Sequence, residues 1–201
     1  MLTAIIHGLV LAFGLILPLG VQNVFVFNQG ITQPNFIRAL PVIITASLCD
    51  TLLITLAILG VSIIVFGNPI IKLSILLIGI GFLIYMGYLT WKSKPNHQAS
   101  EEKALSPKKQ MAFAASVSLL NPHAIMDTIG VIGTSSLSYS GTEKRLFALS
   151  CIFVSWIWFF GLAFIGRMTG KFFDSRRFIN IVNKISAIIM WCTAIYLATT
   201  L

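Results

Sequence analysis

The chain has 201 residues, of which 57% are apolar and only 10% charged, and it carries a formal net charge of +8. A soluble domain carries about 25% charged residues, and at a mean hydropathy of +0.91 this sequence lacks the polar surface that a soluble domain of its size needs. Its apolar stretches therefore have to face lipid or one another, and the basic excess does not point to nucleic acid, because no nucleic-acid-binding module is visible.

A spanning helix needs about 20 mainly apolar residues, and six stretches come near that length. The first is Thr3–Phe27. No Lys or Arg precedes Arg38, whereas a cleaved signal peptide starts with positive charge and ends at a small-residue cleavage site, so a permanent helix is expected. Ala39–Phe66, Leu73–Trp91, Met111–Ile132 and Leu146–Gly166 follow. The last stretch, Ile185–Leu201, is short, and a start as early as Phe178 is open. No alternating strand pattern of a β-barrel occurs. The expected fold is all-α: a polytopic membrane protein of about six transmembrane helices, forming one domain over residues 1–201.

Residues 92–110, with two prolines and mixed charge, read as a flexible cytoplasmic linker between halves at about 1–91 and 111–201. Three spans per half make the halves enter from opposite sides, the condition for a 3+3 inverted repeat. A short echo supports it: PLGVQN (Pro18–Asn23) and PHAIMD (Pro122–Asp127) each place an amide or carboxylate five residues after a proline. Odd-numbered loops hold Arg38, then Lys92, Lys94, Lys103, Lys108 and Lys109, then Arg167, Lys171, Arg176 and Arg177. Even-numbered loops hold only Lys72, Lys144 and Arg145. By the positive-inside rule the odd loops are cytoplasmic and both termini are outside. The small-residue pair Gly79 and Gly81 is too weak to argue for a dimer, so a homo-oligomer stays open. Membrane lipid is the other expected partner.

Interior prolines remove a backbone hydrogen bond and kink or break a helix. In lipid the freed groups are tolerated only against protein or a wet cavity. Asn121–Pro122 reads as a restart, with Asn as N-cap and Pro in the first helical position; Pro18 and Gly20 suggest the same in the first span. Two of the six acidic residues, Asp50 and Asp127, lie inside apolar stretches. Asp50 is about 16 Å along a helix from Ala39, near the bilayer midplane, where a carboxylate costs at least about 2.5 kcal/mol. No Lys or Arg lies at that depth. Two carboxylates without an internal cation call for a proton, a cationic ligand, or both; the bland alternative is a neutral Asp hydrogen-bonded to a neighbouring helix.

Gln22, Asn23 and Asn121 add uncharged donors and acceptors beside the same breaks, and a restarted helix offers free N–H groups to an anion. A zwitterion with a distal cation would match both features. Trp158, in a run of aromatics with Trp156, Phe159 and Phe160, is a candidate to stack on a guanidinium, although packing is the commoner use. Cys49, Cys151 and Cys192 show no C-x-x-C spacing, and His7, His97 and His123 no metal spacing. No P-loop is present. No metal, cofactor or ATP site is expected, and an ion gradient is the fitting energy source.

Leu17–Ile31 (LPLGVQNVFVFNQGI), the Cys49–Asp50 pair, Leu119–Thr128 (LLNPHAIMDT) and Trp156–Ala163 (WIWFFGLA) resemble the lysine/arginine exporter family, often called the LysE type, and its basic amino acid branch in particular. The resemblance covers essentially the whole chain. It implies export of basic amino acids across the bacterial cytoplasmic membrane, driven by the proton-motive force. It carries functional roles onto Pro18, Gly20, Gln22, Asn23, Asp50, Asn121, Pro122 and Asp127. One departure is Val21, where the basic branch usually has Pro, and it bears on the first break and on substrate range. Export of neutral amino acids such as homoserine or threonine is the alternative. An intramembrane aspartyl protease also uses two membrane Asp residues, but neither Asp here follows its G-x-G motif.

Overall fold

The computed structural model describes residues 1–17, 20–61, 68–92, 104–121, 124–125 and 127–172, and eleven positions between 181 and 199. Pro18, Pro122 and His123, and most of the 92–110 linker, lie outside the described residues.

The first apolar stretch is two helices, α1 (Leu2–Ile16) and α2 (Val21–Thr32), bent by 78° at the break between them. Gly20 is extended and its carbonyl accepts from the Val24 N–H at 3.1 Å, so it caps the new helix. Helix α3 (Phe36–Leu56) starts on Asn35, whose side chain accepts from the Arg38 N–H at 2.9 Å. It runs into a π-helical turn (Ala57–Val61) in which Gly60 takes φ +99°, a left-handed conformation that suits only glycine well. Helix α4 (Pro69–Lys92) and helix α5 (Pro107–Leu119) follow. Proline favours the first helical turn, and the start at Pro107 makes the last residues of the expected linker helical.

The fourth stretch is also broken. Helix α5 ends at Leu119, and the Asn121 carbonyl then accepts from the Ile125 N–H at 3.1 Å as a new helical path starts. A π-helical segment (Asp127–Ile132) leads through the short turns Gly133–Ser135 and Ser136–Ser138 to the long helix α6 (Gly141–Phe172).

Hydrogen bonds fix which ends of these elements meet. The Met1 amine pairs with Glu143, and His7 Nδ1 lies 2.8 Å from the Tyr139 hydroxyl, so α1 begins where α6 begins. At the opposite end, the Arg167 guanidinium donates to the carbonyls of Gln33 (2.9 Å) and Pro34 (2.6 Å). There too Gln110 Nε2 donates to the carbonyls of Arg38 (3.0 Å) and Leu105 (2.8 Å). The broken pair α1–α2 thus runs one way and the broken path from α5 through Asp127–Ile132 runs the other.

Side-chain placement inverts that of a soluble protein. Leu149, Phe153, Ile157, Phe164 and Met168 form an exposed stripe on α6, and Ile44, Leu48 and Leu52 one on α3, while Gln22, Asn23, Ser47, Ser118, Asn121 and Ser155 are buried. Apolar faces of this extent belong against lipid. Among the described residues, Phe36–Gly60 and Gly141–Gly170 are long and apolar enough to cross a membrane, and the bent α1–α2 pair makes a third span by length and composition. The protein is an all-α membrane protein; no strand occurs among the described residues.

Helix α6 packs along α1, α2 and α3. It meets α1 and α2 at glycines. A Cβ on Gly30 would sit 2.3 Å from the Ala163 carbonyl oxygen, one on Gly166 2.4 Å from that of Phe27, and one on Gly8 2.8 Å from that of Phe147. Toward the Arg167 end, Val26, Val42, Ile43, Ala46, Ala114, Phe159, Leu162 and Ala163 fill the space between helices.

Candidate functional site

A cavity of about 250 Å³ lies where the two breaks face each other. It falls just under the size of pockets for drug-sized ligands, about 300–1,000 Å³, and suits one small solute. Gly20, Val21, Gln22 and Asn23 line it from the start of α2, Asp50 and Ile54 from α3, and Asn121, Ala124, Asp127 and Thr128 from the second break. Ser155 and Phe159 of α6 close it, with Leu83 of α4 and apolar residues of α1. Residues 105 positions apart in sequence, such as Asp50 and Ser155, meet because both breaks and both long helices converge at this depth.

Asp50 is held at both oxygens. Gln22 Nε2 donates to Oδ1 at 3.0 Å, and Ser155 Oγ donates to Oδ2 at 3.2 Å. Neither donor carries a charge, so the carboxylate is oriented without being neutralised. Asp127 opens the π-helical segment on the other side of the cavity. Among the described lining residues there is no Lys, Arg or His.

Asn23 serves the break itself. Its Nδ2 donates to the Ile16 carbonyl, at the end of α1, at 2.8 Å, and its Oδ1 accepts from Trp158 Nε1 at 3.3 Å. One amide thus satisfies a carbonyl freed by the break and ties it to α6. Trp158 is not among the lining residues; its ring meets Phe13 edge-on at 6.2 Å, and it reaches the cavity only through Asn23. The aromatic ring at the cavity wall belongs to Phe159, one residue on.

Of the sequence candidates, Gly20, Gln22, Asn23, Asp50, Asn121 and Asp127 come together around one cavity, and Pro18 and Pro122 lie outside the described residues. Sequence reasoning passed over Ser155 and Thr128. A lone serine or threonine in a transmembrane stretch ordinarily bonds the preceding turn, as Ser150 does with Leu146, and nothing local marks Ser155 as different.

A family model, LysE type translocator, matches residues 13–201. The chain belongs to this family. Members are transporters, so this translocator is a transporter and not an enzyme, and the aspartyl protease alternative falls away. The translocator is 58% identical over 200 residues to the "Putative amino-acid transporter YisU" of Bacillus subtilis (strain 168), covering 100% of this chain and 91% of that one. It is 32% identical over 196 residues to the arginine exporter protein ArgO of Escherichia coli (strain K12), covering 96% and 92% of the two chains. It is also 32% identical over 202 residues to ArgO of Salmonella schwarzengrund (strain CVM19633), covering 98% and 94%. No solved structure matches.

Proposed function

We propose that this translocator exports basic amino acids, arginine foremost, across the cytoplasmic membrane, with the proton-motive force as the energy source. The observation that carries the reading is the charge of the cavity. Asp50 and Asp127 both line it, and Asp50 is held by two uncharged donors, Gln22 and Ser155. A cationic side chain is a matching partner for Asp50, and in its absence a proton is. The relatives named arginine exporter, matched along nearly their whole length, support the same substrate.

The remaining lining fits the other end of an amino acid. Helix α2 starts at the cavity, and its first N–H groups and positive dipole end are suited to a carboxylate. In this reading the α-carboxylate sits at the start of α2 and the side-chain cation at Asp50 or Asp127. The antiparallel course of the two broken paths supports a 3+3 inverted repeat, with the carboxylates near its centre.

Counterflow in proteoliposomes tests the substrate. Labelled arginine is expected to exchange with arginine and lysine. Citrulline, which keeps the shape of arginine without its charge, and agmatine, which lacks the carboxylate, are expected to inhibit poorly. Equal inhibition by citrulline and lysine refutes the basic-substrate reading and leaves neutral amino acids as the substrate. Collapse of a proton gradient without effect on net export refutes the coupling.

A further inference from the structure

Ser155 lies on α6, is 4% exposed, and donates to Asp50 at 3.2 Å. Most serines and threonines on these helices spend their hydroxyl on the carbonyl three or four residues earlier, as Thr45, Thr51, Ser116, Ser118 and Ser150 do. Ser155 instead reaches across to another helix and meets the one carboxylate that Gln22 also holds.

The consequence is rotational. The bond that turns a carboxylate has a broad, two-fold torsional profile, so an Asp held at one oxygen still swivels. Asp50 is held at Oδ1 from α2 and at Oδ2 from α6, and it cannot turn without losing both bonds. An ionised carboxylate has about four acceptor positions; these two donors use one on each oxygen and leave one on each. Two fixed acceptors, one on each oxygen, suit the forked N–H pair of a guanidinium, which binds carboxylates bidentately. An ammonium is a compact point charge, indifferent to how the carboxylate is turned.

The geometry points to Ser155 as a specificity-determining residue: by fixing the plane of the Asp50 carboxylate, it makes the cavity prefer a guanidinium to an ammonium. The inference rests on the basic-substrate reading above and adds which cation is favoured and what sets the preference. Ser155 is a positioning residue, acting through Asp50, and its removal leaves the charge of the cavity intact.

The experiment measures inhibition of labelled arginine counterflow by unlabelled arginine, lysine and citrulline in the full-length protein and in Ser155→Ala, Ser155→Thr and Ser155→Cys. A hydrogen bond to a charged group is worth enough that its loss weakens the bidentate contact about tenfold. Ser155→Ala is expected to bind arginine about tenfold more weakly, with lysine changed less than about threefold. Ser155→Thr keeps the hydroxyl and restores the arginine preference. Ser155→Cys, a weak donor, falls between, and it carries the comparison alone if the alanine variant does not reach the membrane. Equal weakening of arginine and lysine means that Ser155 only maintains the fold and overturns the proposal. Unchanged arginine inhibition in Ser155→Ala overturns it as well. A wild-type protein that does not separate arginine and lysine from citrulline refutes the basic-substrate reading, and the positioning role with it. A wild type that separates the charged from the neutral but treats arginine and lysine alike refutes the positioning role alone.

Discussion

Asp50→Asn removes one charge and little else. The amide has the shape of the carboxylate. Its oxygen can remain the acceptor for Gln22 Nε2, and its nitrogen then faces Ser155 Oγ, a hydroxyl that can turn from donating to accepting. Both inter-helix bonds survive, and the variant is expected to reach the membrane and to unfold at the wild-type temperature. The substrate loses its counter-charge. Truncating one partner of a buried, hydrogen-bonded charge pair costs about 2–5 kcal/mol, or about 30- to 3,000-fold in affinity at 1.4 kcal/mol per decade. Asp50 is half-buried and Asp127 remains in the same cavity, which sets the expectation at the lower end, about 30- to 100-fold weaker for arginine. The assay is concentration-dependent arginine counterflow with citrulline measured in parallel, since a neutral ligand does not feel the lost charge. A wild-type KM for arginine refutes the reasoning. So does an equal loss for arginine and citrulline, which would indicate a distorted cavity.

Asp127→Asn is expected to insert normally and to lose arginine transport; if it exports arginine at the wild-type rate, Asp127 is off the path. Gly30→Ala drives a methyl group to 2.3 Å from the Ala163 carbonyl, so α2 and α6 must separate by about 1 Å, and overpacking of this kind costs about 1–3 kcal/mol. Gly14→Ala has nothing within 4 Å to strike and gains helix propensity. Melting in detergent is expected to fall for the first and to hold or rise for the second, and equal melting would refute the close-packed seam. In a variant without its native cysteines, an impermeant thiol reagent applied to intact cells is expected to label a cysteine at Thr142 and not one at Lys108, both exposed; the reverse pattern refutes termini that face outside.

Much of the candidate site was legible because the membrane makes polar residues conspicuous. Asp50 and Asp127 stand out in apolar stretches for the same reason that they are costly there, and Gly20, Gln22, Asn23 and Asn121 sit beside breaks that the prolines advertise. Hydropathy found the membrane class and the long helices, but not the path of the chain where it departs from α geometry. Hydropathy alone reads the first stretch as one unbroken span; the break in it is legible from Pro18 and Gly20, and the extended Gly20 parts the two helices there. The π-helical segment at Asp127–Ile132 has no compositional mark. Ser155 and Thr128 escaped notice because a hydroxyl in lipid has a local partner by default. Trp158, a candidate aromatic contact with packing as the commoner use, is not among the lining residues, and its indole N–H donates to Asn23, a partner 135 positions away that only the fold brings near.

The glycine contacts along α6 have a mechanical consequence. Where Gly8, Gly30 and Gly166 bring helix backbones close to one another, relative motion would have to break main-chain contact and not side-chain contact alone. Helices α1, α2 and α6 are therefore suited to act as one stator. Shear by small rotamer changes is easier at interfaces filled by side chains. Helix α3 meets the stator across such an interface, through residues such as Val42, Ile43 and Ala46. Asp50 is carried by α3 and hydrogen-bonded to α2 and α6. The carboxylate that would hold the cargo is thus also a joint between α3 and the α2–α6 seam, and a cation loaded there would compete for that joint.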